Sequence, residues 1–177
     1  NMDGYQNSVK VVMRAAGARR LRGIIGPVSA ILEVEPGREV AIETALGGAL
    51  QNIVVENEAA AKAGIALLRS ENAGRATFLP LDTVQPGVFR GRLSGTARLA
   101  SALVQADPRY ENIVSNLLGR IIVVEDILDS GNTLYFLKNY FLTKGAKSVT
   151  VVTLLDKPAR RVKPITADLA GLSSRVT

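Results

Sequence analysis

The sequence predicts a mixed α/β (α+β) fold of two lobes, and three observations carry that prediction. Short β-branched runs alternate with helix-periodic segments along most of the chain, which is the pattern of α/β and α+β architectures. A stretch rich in turn formers, residues 83–96 with Pro86, Gly87, Gly91 and Gly95, parts two periodic regions. Residues 121–134, IIVVEDILDSGNTL, then read as strand, acidic pair, Gly/hydroxyl loop and helix. The expected organisation is a first lobe at 1–82, a connecting excursion at 83–97 and a second lobe at 98–177.

Each element follows from local pattern. Residues 5–16 predict a helix with Val9, Val12, Met13 and Ala16 on one face, stopped by Gly17. Residues 22–27, RGIIGP, read as a turn, and 28–34 as a strand broken by Pro36-Gly37. Residues 38–50 predict a strong helix, since Ile42, Ala45, Leu46, Ala49 and Leu50 recur at helical spacing. A short strand at 53–55 precedes a helix at 56–69 with Ala61, Ile65 and Leu68 inward, and a strand at 76–79 closed by Pro80. Beyond the excursion come a weak strand at 99–104 and a helix at 107–118 opened by Asp107-Pro108. Strand 121–124, helix 134–143, strand 148–155 and a last strand near 167–172 complete the pattern.

Composition narrows the function. A hydrophobic share of 47% in 177 residues can furnish a packed core. No apolar run reaches the roughly 18–20 residues of a membrane span, and no signal peptide opens the sequence. Without Cys or His there is no disulfide, no thiolate and no imidazole. No metal site is expected, and a cytoplasmic location fits best. The net charge of +6 favours phosphate polymers. Cations gather at Arg14, Arg19, Arg20 and Arg22, at Arg90, Arg92 and Arg98, and at Lys157, Arg160, Arg161 and Lys163. Such clusters are either solvated surface or nucleic-acid contacts; 5% aromatic content makes stacking platforms sparse.

The segment after Val124 is a candidate phosphate-and-sugar cradle. Glu125 and Asp126 end a strand; Asp129, Ser130, Gly131, Asn132 and Thr133 open a helix, whose N-terminus adds a positive dipole end. Ser130 and Thr133 can equally serve as helix caps.

The motifs LRGIIGPV at 21–28, AIETALGGALQNIVV at 41–55 and GRATFLPLD at 74–82 resemble the hinge domain of the structural maintenance of chromosomes (SMC) proteins, over about residues 4–125. The resemblance implies a dimerising hinge between coiled-coil arms that carries basic surface for DNA. No heptad arms or ATPase parts lie within this sequence, so an isolated hinge is expected. Gly47 and Gly48 would serve either tight internal packing or a subunit interface. Arg14, Arg19, Arg20, Arg22, Arg90, Arg92 and Arg98 would contact DNA, weakly.

From Val123 onward, VVEDILDSGNTL at 123–134 and VVTLLDKPARR at 151–161 resemble hypoxanthine (purine) phosphoribosyltransferase, over about residues 121–172. This resemblance implies Glu125 and Asp126 on ribose hydroxyls, residues 129–133 around a 5′-phosphate, Asp129 assisting proton transfer and Lys157 on the purine. No cofactor is required; Mg²⁺ would accompany a nucleotide. The enzyme's pyrophosphate loop and lid have no counterpart in residues 2–120, so useful transferase activity is not expected. The hinge family would instead continue to a glycine-rich segment used in dimerisation, so an impaired homodimer is expected. The two resemblances meet at Val123-Val124-Glu125-Asp126, as in a chimera spliced inside one β-α-β unit.

Overall fold

The computed structural model describes residues 4–93, 97–124, 127–128, 131–146, 148–156 and 161–173. It is a mixed α/β structure of helices and small sheets.

Helix α1 (Asn7–Gly17) forms because Ser8, Val9, Val12 and Ala15 fall on one stripe, which is buried. Its end differs from the expected glycine stop. Ala18 and Arg20 donate their N–H groups to Arg14 and Ala15 carbonyls, and the left-handed residue is Arg19, at φ 60°. Residues 24–27 are strand β1 (Ile24–Pro27) rather than a turn, because they pair antiparallel with β3 (Ile53–Val55) across a bulge between Ile24 and Gly26. The expected strand at 28–34 is a 3₁₀ turn (Val28–Ala30) followed by a two-residue strand β2 (Glu33–Val34).

Helix α2 (Glu39–Leu46) is shorter than its periodicity implies. Gly47 takes φ 49° and converts the chain to a 3₁₀ turn, Gly47–Gln51. The apolar spacing continues into that turn, so period alone overran the break. Helix α3 (Glu58–Ser70) begins at Asn57, whose side chain accepts the Ala60 N–H at 2.9 Å. Ile65, expected inward, is exposed; Gly64 faces inward instead. A Cβ at Gly64 would lie 2.6 Å from the Phe78 ring, so only glycine lets α3 sit on β4 (Phe78–Pro80).

Strand β3 is central, antiparallel to β1 and parallel to β4. All three of its side chains are buried, and their alternation divides two cores. Ile53 and Val55 join Val9, Val12, Ala61 and Leu68 under α1 and α3. Val54 joins Val28, Ile42 and Leu46 with Leu103, Ile113, Leu118 and Val123. This second core draws on both sides of the excursion. Strands β2 and β6 (Val104–Gln105) also pair antiparallel across it. The weak strand expected at 99–104 resolves into β5 (Ala97–Leu99), a 3₁₀ turn (Ala100–Leu103) and β6. Strand β5 pairs antiparallel with β7 (Ile122–Val124).

The excursion has no helix or strand over its described residues 84–93. It is pinned to helix α4 (Glu111–Leu118), where Ser115 Oγ donates to the Gly87 carbonyl and Asn116 Nδ2 to the Gln85 carbonyl, both at 2.8 Å. Asp107 does cap the following turn, accepting the Arg109 N–H at 3.0 Å, but residues 108–110 are 3₁₀ before α4 begins.

The C-terminal part is a β-α-β unit. Parallel strands β8 (Ile127–Leu128) and β9 (Val152–Asp156) are joined through α5 (Asn132–Thr143), and β10 (Leu169–Ser173) adds parallel to β9. Leu134, Val151 and Ile165 make its small core. The Val151 N–H donates to Asp168 Oδ2, while the Asp168 N–H donates to the Val151 carbonyl.

Candidate functional site

The basic residues occupy distinct settings. Arg14 lies in the last turn of α1, and Arg19, Arg20 and Arg22 follow in the turn into β1, all exposed. Arg20 is held by Glu71 at 2.7 Å. Arg98 is half-buried, 3.1 Å from Glu35 Oε2 and donating to the Ala102 carbonyl at 3.1 Å. Arg90 and Arg92 are exposed on the excursion. Among the described residues, Arg14, Arg19, Arg22, Arg90 and Arg92 have no ion pair. The seven expected DNA contacts therefore divide by electrostatics. Five cations keep their field toward solvent, and two are partly neutralised by their own carboxylates.

Gly47 and Gly48 are exposed, and a Cβ at either would meet nothing within 4 Å. The reading of tight internal packing is thereby overturned. Gly47 serves backbone conformation, and Gly48 leaves a bare stretch of main chain on the surface.

Of the expected phosphate cradle, Glu125, Asp126, Asp129 and Ser130 lie outside the described residues, as do Lys157 and Arg160. The described part shows what shapes its helix end. Gly131 is the N-cap of α5 at φ 78°, and its carbonyl accepts the Tyr135 N–H at 2.9 Å. A Cβ there would lie 2.7 Å from Ile165 and 2.9 Å from Arg161, so glycine is required both for conformation and for space. Asn132 and Thr133 open the helix, with Asn132 exposed. Arg161, which in the sequence stood only in a basic cluster, is brought beside Gly131, where its guanidinium donates to the Ile165 carbonyl. No His/Cys/Asp/Glu group among the described residues could hold a metal ion. Among the same residues, no helix is long and apolar enough to cross a membrane.

Sequence reasoning missed a cleft between α5 and the core, lined in part by Arg90, Arg92, Arg120, Lys138 and Lys144. The signal available was α5 itself, whose segment LYFLKNYFL carries apolar residues on more than one face. One face meets Val151 and Ile165, while Phe136 and Leu142 remain exposed at 67% and 44%.

With this geometry in view, comparison with known proteins identifies the hinge part. Residues 21–134 match the SMC proteins flexible hinge domain, and the chain belongs to that family. Residues 99–175 match the phosphoribosyl transferase domain, so the two matches overlap at 99–134, the stretch that contains Val123-Val124. The chromosome partition protein Smc of Bacillus subtilis (strain 168) is 37% identical over 134 residues, covering 72% of this chain and 11% of that protein. The corresponding Synechococcus protein is 41% identical over 110 residues, covering 59% of this chain and 9% of its own. The chain thus spans about a tenth of the length of these relatives. Among solved structures, an asymmetric dimer of the Geobacillus stearothermophilus SMC hinge domain matches with TM-score 0.72 and 34% identity, over 85% of this chain and 60% of that one. The Pyrococcus furiosus SMC hinge domain matches with TM-score 0.56 and 29% identity, over 72% and 64%.

Proposed function

We propose that the chain acts as the self-associating, DNA-contacting hinge of an SMC-type chromosome partition protein, in the cytoplasm. The observation that carries this reading is the 37% identity to Bacillus subtilis Smc over 72% of the chain. Self-association is supported by the dimeric Geobacillus hinge and by Gly47-Gly48, where bare, exposed backbone permits close approach of a second copy. The hinge match ends at residue 134, where the phosphoribosyl transferase match continues alone, so a dimer weaker than that of an uninterrupted hinge is expected. DNA contact is assigned to Arg14, Arg19, Arg22, Arg90 and Arg92, because unpaired exposed cations release counterions when they meet phosphates. Sedimentation equilibrium of the parent and of Gly48→Arg tests the first half. The parent associates and the variant is monomeric with an unchanged melting temperature; two identical monomers would refute it.

A second reading attaches to the C-terminal unit: binding of phosphoribosyl pyrophosphate or a nucleotide, as in purine salvage. It is favoured by the phosphoribosyl transferase match and by the left-handed Gly131 that opens α5 after a parallel strand. In this reading Glu125 and Asp126 hold ribose, Ser130 and Thr133 hold phosphate, Asp129 relays a proton and Lys157 faces the base, with Mg²⁺ accompanying the nucleotide. Calorimetric titration of a nucleoside monophosphate with Mg²⁺ should give heat for the parent and less for Ser130→Ala/Thr133→Ala. Equal heats would count against it.

A further inference from the structure

Helix α5 does not lie flush on the rest of the chain. Between it and the core is a cleft of about 930 Å³, at the upper end of the range typical of small-molecule sites. Its apolar lining includes Ala45 of α2, Val123 of β7, and Leu134 and Leu137 of α5. Phe89, Phe141 and Tyr140 form one aromatic wall. Phe89 and Phe141 meet edge to face at 6.0 Å, and Tyr140 and Phe141 at 5.6 Å. These contacts hold the rings at fixed angles.

The charge is one-sided. Arg90 and Arg92 come from the excursion, Arg120 from the residue before Ile121, and Lys138 and Lys144 from α5 and its end. The described lining contains no Asp or Glu. None of these five cations has an ion pair among the described residues; Lys144 Nζ sits 5.7 Å from the centre of the Tyr140 ring. Cations around a low-dielectric cleft repel one another and focus a positive potential into it, so an anion lowers the energy of the arrangement.

We propose that this cleft binds a small amphipathic anion, an apolar ring or chain that carries phosphate. A wholly polar anion would leave the aromatic wall and aliphatic lining unused, and a neutral apolar molecule would leave the cations unneutralised. The described residues of the phosphate loop, Gly131, Asn132 and Thr133, are not part of the cleft lining. The variants that test the cleft, at Arg120, Lys138 and Leu137, are distinct from the Ser130→Ala/Thr133→Ala pair that tests the nucleotide reading.

The experiment is calorimetry on the full chain with 1-naphthyl phosphate, dodecyl phosphate below its micellar concentration, inorganic phosphate and 1-naphthol. One or both amphipathic phosphates should bind with a Kd about tenfold or more below that of either half-ligand. A preference for naphthyl phosphate would assign an aromatic source, and a preference for dodecyl phosphate an acyl-chain source. Arg120→Gln with Lys138→Gln, both at solvent-accessible positions, should weaken binding about fivefold or more with an unchanged melting curve, and rising salt should weaken it further. Leu137→Gln should weaken binding without altering its salt dependence. Inorganic phosphate or naphthol binding as tightly as the amphiphiles, no binding of either amphiphile, or affinity unmoved by Arg120→Gln/Lys138→Gln would each overturn the proposal.

Discussion

Arg98 Nη1 lies 3.1 Å from Glu35 Oε2, and this ion pair ties β5 to the segment after β2 across the excursion. The same guanidinium reaches the Ala102 carbonyl. An arginine that the basic-cluster pattern groups with Arg90 and Arg92 thus works within the fold. Both partners are about two-fifths exposed, at 40% and 42%, so solvent screens the attraction. A double-mutant cycle of Arg98→Ala and Glu35→Ala should give a coupling of about 0.2–1 kcal/mol in chemical denaturation. Arg98→Ala should lower DNA affinity less than Arg92→Ala does. A larger loss at Arg98 would show that its pairing with Glu35 yields to phosphate.

Arg19 is left-handed at φ 60° in the turn after α1, a conformation that disfavours any residue with a Cβ. Replacing it by glycine should stabilise the protein by up to about 1 kcal/mol in thermal or urea unfolding. The same change should weaken DNA binding and flatten the slope of log K against log salt by about one unit. Stability and affinity moving in opposite directions would mark backbone strain retained for a surface cation. Loss of stability in Arg19→Gly would contradict the strain.

Gly64 tests the contact between α3 and β4. In an open helix interior, alanine would stabilise by about 1 kcal/mol. Here the new methyl would lie 2.6 Å from the Phe78 ring. Gly64→Ala should therefore destabilise the fold by about 1–3 kcal/mol, the usual range for overpacking. Adding Phe78→Leu should recover part of that loss. Denaturant midpoints of the two single variants and the double variant decide the matter.

Gly131→Ala should loosen the C-terminal unit, because it combines left-handed strain with a clash on Ile165. Hydrogen exchange should rise in α5 and β9, with β3 still protected. Rapid exchange throughout would show that the unit and the hinge core unfold as one.

Asp168→Ala removes the acceptor of the Val151 N–H. An unsatisfied, largely buried donor costs about 1–3 kcal/mol. Asp168→Asn keeps an acceptor oxygen and should lose less. Equal losses in the two variants would point to charge rather than hydrogen bonding.

Much of this protein was legible in its sequence. The first helix with Val9 and Val12 inward, a helix in the region of α3, the short apolar run at 53–55 and a helix opening after the Gly131 loop each appear because period and turn composition are local properties. Met13 and Ala16 gave way on the buried stripe to Ser8 and Ala15, and the Asn57 cap of α3 was not read. Both family resemblances were legible as motifs, and their meeting point falls within the overlap of the two matches. Tertiary structure decided the rest, because those features depend on which segments meet. Residues 24–27 are a strand only because residues 53–55 lie beside them. The end of α2 at Leu46 follows from the backbone angles of Gly47, although the apolar period runs on. Whether an arginine is open to phosphate or consumed by a carboxylate depends on neighbours distant in sequence, Glu71 for Arg20 and Glu35 for Arg98. The cationic cleft joins α2, the excursion, Arg120 and α5. Composition supplied its charges, but only packing gathered them around one cavity, because electrostatic focusing depends on distance in space and not along the chain.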